Sequence, residues 1–212
     1  MIHPPEEILL AIASGQADLP RRVLVEGHLD SCAACRAVIA ELSAPGGALL
    51  GGIAEETPSD RVWERLWAQV QAIPPGAGMP DPALADLPLP AGVRRELPPL
   101  REIAWRRLTV RGARLAVLLR DRFTGSALIL GHMPAKRAFP RHLHLGTEDV
   151  LVLAGGYEDQ YGTFEAGAYA QYAPGTEHRP LTEPGEECWT LLRLEKPNLL
   201  YGWRGWLQRL ER

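Results

Sequence analysis

The chain has 212 residues, of which 46% are hydrophobic and 23% charged, and its formal net charge is −3 at pH 7. No apolar run approaches the ~20 residues that span a bilayer, the N-terminus lacks the basic region of a signal peptide, and the charge gives no support for direct nucleic-acid binding. The three cysteines do not make a disulfide framework, so we expect a cytoplasmic protein that does not bind a membrane.

The first 75 residues predict a small bundle of about four helices. Three of them precede a Gly-rich break at 46–52: one that opens at Pro4, one that runs from Asp18 to about His28, and one that Asp30 or Ser31 caps and that ends before Pro45. Three such short helices have little core of their own. A bound metal can supply folding energy in a module of this size, because apparent zinc-binding free energies reach roughly 10–16 kcal/mol.

A metal-ligand pattern, His-x3-Cys-x2-Cys, lies in this bundle at His28, Cys32 and Cys35. On a helix these positions share one face, and imidazole nitrogen with thiolate sulfur suits tetrahedral zinc. His3 is the nearest candidate for a fourth ligand, because the other histidines lie far along the chain. The alternative interpretation is a pair of ordinary buried cysteines beside a surface histidine.

The fourth helix begins near 57–60 and carries an apolar stripe at helical spacing, formed by Val62, Trp63, Leu66, Trp67 and Val70. The stripe either packs on its own bundle or binds a partner, since tryptophans are frequent interface anchors. Residues 1–75 hold ten acidic residues against five arginines, so a basic protein partner fits this surface.

The hydrophobic period changes after a Pro- and Gly-rich linker, predicted at 76–104 as a semi-extended segment. From 105 to 200 many short alternating runs predict an antiparallel β-sandwich or barrel. Residues 201–212 predict a short amphipathic tail helix. The expected fold class is therefore α+β in more than one domain.

A second group of metal-ligand residues lies in the β part, where His142 and His144 are followed by Glu148 and, later, by His178. Residues i and i+2 of a strand point to the same face, so the first two imidazoles can converge. Three imidazoles and a carboxylate suit zinc, which we expect here, or manganese, iron or nickel in an octahedral site. The alternative is a set of unrelated surface histidines.

This spacing resembles the cupin family, whose first motif, H-x-H-x(3,4)-E-x(6)-G, matches His142, His144, Glu148 and Gly155. The second motif, P-x-G-x-x-H-x3-N, matches at Gly175 and His178. The resemblance implies a small β-barrel with a metal in its mouth. The departures from the motifs are Lys136 where the family has a glycine, a proline one position late at Pro174, and Thr182 in place of the asparagine.

The order of the two modules resembles the ChrR family of anti-sigma factors, in which a zinc-binding anti-sigma domain precedes a cupin domain. The resemblance implies that His3, His28, Cys32 and Cys35 bind zinc and that His142, His144, Glu148 and His178 bind the cupin metal. It also implies an extracytoplasmic-function sigma factor as the partner and singlet oxygen or organic peroxide as the signal. The fourth helix, with Trp63, Leu66, Trp67 and Val70, would then contact the sigma factor.

Two questions stay open at the level of sequence. The ligands of the β part are also those of cupin dioxygenases, so an oxygenase or another metal-dependent cupin enzyme is the alternative to a non-enzymatic regulator. Cys188 is either an oxidisable thiol near the metal or an ordinary buried strand residue.

Overall fold

The structure, a computed structural model, describes residues 2–73, 82–97 and 99–201. Helices come first and antiparallel strands follow, which confirms the expected α+β class. The predicted tail helix at 201–212 lies outside the described residues except for Tyr201. We call residues 2–73 the helical unit and the strands that follow the barrel.

The helices of the described residues are α1 (Glu6–Ala13), α2 (Leu19–Ser31), α3 (Ala33–Gly51), α4 (Asp60–Gln71) and α5 (Ala91–Arg95), with 3-10 turns at Pro82–Asp86 and Leu100–Glu102. The first four are the four predicted helices of the bundle. Gly15 lies just beyond the end of α1 and adopts a φ of 71°, a left-handed conformation that glycine adopts without strain.

The third helix is longer than predicted, because it continues through Pro45 to Gly51. A proline inside a helix removes one backbone hydrogen bond, and here the freed Glu41 carbonyl lies on an exposed surface where water can bind it. By length and composition α3 could cross a membrane. However, Val38, Ile39 and Leu42 in its first half pack against the core that α1 and α2 share.

The junction between α2 and α3 also differs from the prediction. Neither Asp30 nor Ser31 caps α3; Cys32 has extended backbone (φ −114°, ψ 98°) and its Sγ accepts a hydrogen bond from the Cys35 amide. The Asp30 carboxylate instead accepts a hydrogen bond of 3.1 Å from the Gly92 amide of α5. His28, Cys32 and Cys35 therefore converge at a corner between two helices and not on one helix face.

The described part of the predicted linker is more ordered than a semi-extended segment. Its apolar residues Leu84, Leu89, Val93 and Ile103 are buried in the main core, and α5 packs on α2. Their side chains fill the space between α2 and the β-sheet. The high proline and glycine content of the segment gives no sign of this packing. The close approach needs Gly27 of α2, because an added Cβ would lie 3.0 Å from Val93 Cγ2.

Twelve strands are described: β1 (Trp105–Arg107), β2 (Arg114–Arg120), β3 (Ala127–Met133), β4 (His142–Leu143), β5 (Glu148–Ala154), β6 (Gly156–Asp159), β7 (Gly162–Glu165), β8 (Tyr169–Tyr172), β9 (Glu177–His178), β10 (Leu181–Thr182), β11 (Cys188–Leu194) and β12 (Leu199–Leu200). All pairs are antiparallel. The main sheet has the order β1-β2-β3-β11-β5-β8, and two smaller sheets have the orders β10-β6-β7 and β12-β4-β9.

The main sheet separates two cores because its side chains alternate between two faces. The inner face, with Val150, Cys188 and Tyr172, belongs to the barrel interior. The outer face, with Leu151 and Leu191, packs against the helical unit and shares one hydrophobic core with α1 and α2. One sheet therefore forms a common wall between the barrel interior and the helices.

Buried charges hold α2 on the outer face of this wall. Asp18 accepts the Arg21 amide at 2.8 Å and thereby caps α2, and its carboxylate also accepts from Arg193 Nε of β11 at 3.1 Å. Asp149 of β5, which is fully buried, lies 3.0 Å from Arg21 Nε and 3.5 Å from Arg193 Nη1. Two carboxylates and two guanidinium groups thus compensate one another across the interface.

The substitution Arg193→Met should lower the free energy of unfolding by about 3 kcal/mol, because Asp18 and Asp149 would keep buried negative charge with one cation fewer. Urea unfolding followed by circular dichroism measures this change. Arg120→Met is the control, since Arg120 is an exposed residue of β2 and its loss should change stability by less than ~0.5 kcal/mol. Equal stability of the two variants would contradict the interface described above.

Candidate metal centres

The structure brings His3, His28, Cys32 and Cys35 together, with one ligand atom of each within 4.8 Å of every other. We call these four residues the helical cluster. His3 Nδ1 lies 3.4 Å from Cys32 Sγ and 3.3 Å from Cys35 Sγ. The histidine at the chain start, which sequence spacing could offer only as the nearest candidate, thus lies directly beside both thiols.

The His28 side chain reaches from the helical unit to the barrel. Its Nδ1 is 3.0 Å from the carbonyl oxygen of Gly167, and a carbonyl can only accept, so Nδ1 carries the proton. The Nε2 lone pair therefore points into the cluster, and this fully buried atom has no hydrogen-bond partner among the described residues. A metal ion would satisfy it.

The protonation states of the helical cluster favour a metal that displaces protons. Burial lowers the pKa of His28, which keeps the imidazole neutral. Burial, together with the neighbouring Cys32 thiol, raises the pKa of Cys35 to about 11. Two sulfur and two nitrogen ligands form a donor set typical of structural zinc, and such an ion would convert the thiols to thiolates and join α2, α3 and the N-terminal segment.

A second cluster lies inside the barrel and consists of His142, His144, Glu148 and His178, whose ligand atoms also lie within 4.8 Å of one another. We call it the barrel cluster. Strand pairing places His142 directly opposite His178, and Glu148 opens β5 alongside them. Glu148 Oε2 lies 3.6 Å from His144 Nε2, and all four residues are buried.

Each imidazole of the barrel cluster is oriented by an acceptor on its outer nitrogen, an arrangement typical of metal-binding histidines. Nδ1 of His142 lies 2.9 Å from the Pro140 carbonyl, Nδ1 of His144 lies 2.9 Å from Thr176 Oγ1, and Nδ1 of His178 lies 2.7 Å from Asp159 Oδ2. The three Nε2 atoms therefore face inward.

The inward nitrogens are arranged so that a cation between them would be stabilised. His142 Nε2 and His178 Nε2 are 2.9 Å apart, and two lone pairs at this distance repel each other unless a positive ion lies close. Burial, together with the neighbouring His178 ring, lowers the pKa of His142 to about 3 and that of His144 to about 4, so both imidazoles are neutral at physiological pH. Burial raises the pKa of Glu148, which accepts a hydrogen bond from Asn198.

Sequence reasoning missed two residues that support the barrel cluster. Burial opposes the ionisation of Asp159, but the hydrogen bond from His178 and its other donors lower its pKa, so the carboxylate stays charged behind the imidazole. Asn198 donates to Glu148 from the far end of the chain. Neither residue belongs to a cupin motif, and no spacing pattern could have found them.

Two of the three departures from the cupin motifs, Lys136 and Thr182, meet in one turn. Lys136 adopts a φ of 55°, the left-handed conformation that favours the glycine of the family at this position. Thr182, which replaces the motif asparagine, donates from Oγ1 to the Pro134 carbonyl at 2.7 Å and accepts from the Arg137 amide at 2.9 Å. Thr182 thus holds the turn that contains Lys136, and the four cluster residues keep their places.

A cavity of about 480 Å³ adjoins the barrel cluster between the inner face of the main sheet and the smaller sheets. Its lining is mostly apolar and includes Ile129, Met133, Val150 and Leu192, with His142 and Glu148 on one side. Cys188 also lines it, and burial raises the pKa of this thiol to about 12, so it is protonated at neutral pH. The structure thus places Cys188 at the cavity, and a redox role for it remains a prediction.

The remaining predicted site residues lie on α4 and are exposed. Among the described residues, the apolar stripe belongs to neither hydrophobic core. Trp63 keeps 65% and Trp67 50% of their surface accessible, and the two indole rings stack with centroids 6.1 Å apart. None of the residues of α4 is buried. In this structure, therefore, the stripe does not pack on its own bundle.

Comparisons with known proteins agree with both modules. The family model of the ChrR cupin-like domain matches residues 94–196. The anti-sigma-E factor ChrR of Cereibacter sphaeroides is 34% identical over 201 residues, which cover 92% of this chain and 90% of the relative. The crystal structure of Rhodobacter sphaeroides SigE in complex with the anti-sigma ChrR matches with a TM-score of 0.68 and 28% identity, covering 92% of this chain and 98% of that one.

The fold and the two clusters together define the class of protein: a helical bundle that carries one cluster of candidate metal ligands is joined to a cupin barrel that carries a second cluster. The similarity extends over nearly the whole of both chains and includes the order of the modules. The chain belongs to the ChrR family of anti-sigma factors.

The buried histidines predict a pH dependence of stability in protein stripped of metal. Unfolded histidines have a pKa near 6.5, whereas folded His142 and His144 have values of about 3 and about 4. Between these limits the unfolded state binds more protons, so the free energy of unfolding should fall from pH 7 to pH 5, by on the order of 2 kcal/mol per histidine.

Urea unfolding at several pH values, in a chelating buffer, tests this expectation. The variant His142→Gln removes one of the two groups and should show a shallower decline over the same range. Stability that stays constant or rises on acidification would contradict the burial of neutral imidazoles.

Proposed function

We propose that the chain is an anti-sigma factor that sequesters an extracytoplasmic-function sigma factor through its helical unit and releases it when the barrel receives an oxidative signal. The observation that carries the proposal is α4, which presents an apolar face with two tryptophans and no partner within the described structure. Family membership supports it, since the matching relative is an anti-sigma factor crystallised with its sigma factor.

Exposed apolar side chains in the helical unit are not confined to α4. Besides the stripe on α4 itself, Leu49, Leu50 and Ile53 at the end of α3 are also exposed. Exposed apolar side chains grouped in this way mark protein-interaction sites, and an amphipathic helix commonly binds in a groove of its partner. The helical unit adds a twofold excess of acidic residues over arginines, which complements the basic surfaces that a sigma factor turns to polymerase or DNA.

The tryptophans should supply much of the binding energy. Replacing both by alanine, Trp63→Ala with Trp67→Ala, removes two exposed anchors and should raise the dissociation constant for the sigma factor at least about 30-fold, because an anchor of this kind contributes ~2 kcal/mol or more. Calorimetry with the purified sigma factor encoded nearest to this gene measures the change.

Phe123→Ala is the matched control for this measurement. Phe123 is an aromatic residue with 83% of its surface accessible, and it lies in the turn between β2 and β3, away from α4. Its loss should leave the affinity within about twofold. An unchanged affinity of the double tryptophan variant would remove α4 from the interface.

The helical cluster is proposed to hold zinc, which organises the sigma-binding unit. Its four residues come from the N-terminal segment, the end of α2, the α2–α3 junction and the first turn of α3. An ion there would fix the position of the first turn of α3, the helix that precedes α4. The chemistry that zinc supplies at such a site is structural, because four protein ligands complete its coordination.

Loss of the two thiols tests this role. The variant Cys32→Ser with Cys35→Ser should lose one equivalent of zinc and bind the sigma factor at least tenfold more weakly, because the arrangement of α2 and α3 is no longer fixed. Cys188→Ser removes the one cysteine of the three that lies outside the cluster, and this variant should keep both the zinc and the affinity for the sigma factor. If the double variant stayed folded and bound the sigma factor as tightly as before, the zinc-organised interface would be wrong.

The barrel is proposed to receive the signal, singlet oxygen or an organic peroxide. The cavity beside the barrel cluster is mostly apolar, so it favours small uncharged molecules over ionic ones. Zinc is the proposed metal here as well, although the same residues would also hold manganese, iron or nickel. The proposed location is the cytoplasm, where sigma factors act.

An oxygenase is the alternative, because three histidines and a glutamate also bind iron in cupin dioxygenases. Metal analysis of the purified chain separates the two. Zinc in both clusters supports the regulator, whereas iron in the barrel cluster together with oxygen uptake on a diketone or a thiol supports the enzyme.

A further inference from the structure

We infer that β8 and the turn before it couple the helical cluster to the barrel cluster, so that metal binding at either cluster raises the metal affinity of the other. The inference deepens the proposed function, because it names the route by which a change in the barrel reaches the sigma-binding unit, and it rests on the proposal that both clusters bind metal. Residues 167–172 carry the argument, since they contact both clusters.

The first half of this segment supports the helical cluster. The Gly167 carbonyl accepts the Nδ1 proton of His28 at 3.0 Å and thereby sets the orientation of the imidazole. Tyr169, two residues later, donates its amide to the Ile2 carbonyl at 2.9 Å, and Ile2 immediately precedes His3. Three consecutive barrel residues therefore position two of the four candidate ligands of the helical cluster.

This contact also satisfies the edge of the main sheet. β8 is the last strand of that sheet, and the amide of an edge strand otherwise lacks a partner in the ladder. Tyr169 is 1% exposed, so its unpaired amide would be costly. The N-terminal segment thus lies on β8 because it satisfies this amide. The position of the candidate ligand His3 therefore depends on the position of β8.

The second half of the segment supports the barrel cluster from the opposite face of the same strand. The Tyr172 ring centroid lies 4.2 Å from that of His178 and 5.2 Å from that of His144. Its hydroxyl donates to Asp159 Oδ2 at 2.8 Å, the same oxygen that accepts from His178. Strand pairing places Tyr172 directly opposite Glu148, the fourth residue of the cluster.

The connection between the two halves is short and stiff. Three residue steps of extended strand separate Tyr169 from Tyr172, a span of ~10 Å. The preceding turn is hydrogen-bonded to β5, with Gly167 donating to Val152 at 2.8 Å and Val152 donating to Ala168 at 3.0 Å. A shift of Tyr172 that follows a change in the barrel cluster therefore moves the Gly167 carbonyl and the Tyr169 amide as well.

The acceptor behind a metal-binding imidazole commonly changes metal affinity 10- to 100-fold when it is altered. The Gly167 carbonyl is such an acceptor for His28, although it belongs to the barrel. Because coupling between two binding equilibria is reciprocal, the barrel cluster must gain affinity by the same factor when the helical cluster is filled.

Cobalt titrations test this coupling, because thiolate-to-cobalt absorption reports only the cluster that contains Cys32 and Cys35. The chain with His144→Ala leaves the helical cluster to bind alone, and the chain with Cys32→Ser and Cys35→Ser leaves the barrel cluster alone. With the barrel cluster filled in the wild type, the helical cluster should bind cobalt at least about fivefold more tightly than it does in the chain with His144→Ala. Constants that agree within twofold would overturn the inference.

The variant Gly167→Ala should reduce this ratio to about one. Gly167 has a φ of 86°, so a side chain there strains the backbone and displaces the carbonyl. Gly185→Ala is the control, because Gly185 also has a positive φ, 105°, in a turn where an added Cβ meets no atom within 4 Å. A ratio that survives Gly167→Ala and Gly185→Ala equally would overturn the assigned route.

A second measurement does not depend on Gly167 variants folding. In the chain with Cys32→Ser and Cys35→Ser, zinc can enter only the barrel cluster, and its addition should slow hydrogen exchange of the Tyr169 amide at least about fivefold. Unchanged exchange at Tyr169 would overturn the inference. Sigma binding, measured separately, distinguishes the two claims. If the chain binds the sigma factor but the two clusters bind metal independently, only the inference is wrong. If the clusters are coupled but the chain does not bind the sigma factor, only the proposed function is wrong.

Discussion

The contact between α2 and the outer face of the main sheet is the interaction on which the rest of the structure depends. Asp18 caps α2 and pairs with Arg193, while Arg21 pairs with the fully buried Asp149. Because one sheet forms both this contact surface and the wall of the barrel interior, the two modules share a structural element and not only a linker. Removing either module would leave buried charge without its partners.

The two metal-ligand clusters use different support for similar chemistry. In each cluster, acceptors on the outer nitrogen orient imidazoles so that their inner nitrogens face the other candidate ligands. The acceptors of the barrel cluster, among them Asp159 and Thr176, belong to the barrel itself, whereas the acceptor behind His28 belongs to the other module. His28 is thus oriented only when α2 lies on the barrel, so any metal ion held by the helical cluster would depend on the docking of the two modules.

The sequence predicted which candidate ligands lie together better than it predicted the contacts that support them. Ligand types recur at fixed spacings, so seven residues of the two clusters could be found from motifs, while His3 could be offered only as the nearest remaining histidine; the structure brings each group together. The exposed stripe of α4 could be found as well, because helical periodicity is a local property. Whether that stripe faced its own bundle or a partner was not decided by the sequence, since the answer depends on the packing of the other helices.

What the sequence could not predict rests on contacts between distant residues. Asp18 and Arg193 are 175 positions apart, and neither position has an identifying pattern. The helix break at Cys32 was missed because Asp30, a good capping residue, is instead engaged by Gly92. The order in the predicted linker was missed because its prolines and glycines conceal Leu84 and Val93, which are buried only once α2 and the sheet are in place.

The central claim is that the helical unit withholds a sigma factor from RNA polymerase. Transcription in vitro, from a promoter that requires the extracytoplasmic-function sigma factor encoded nearest to this gene, measures this directly. The account predicts that one molar equivalent of the zinc-loaded chain over the sigma factor abolishes the transcript, while transcription with an unrelated sigma factor continues. A transcript that persists at molar excess of the folded, zinc-loaded chain would contradict it.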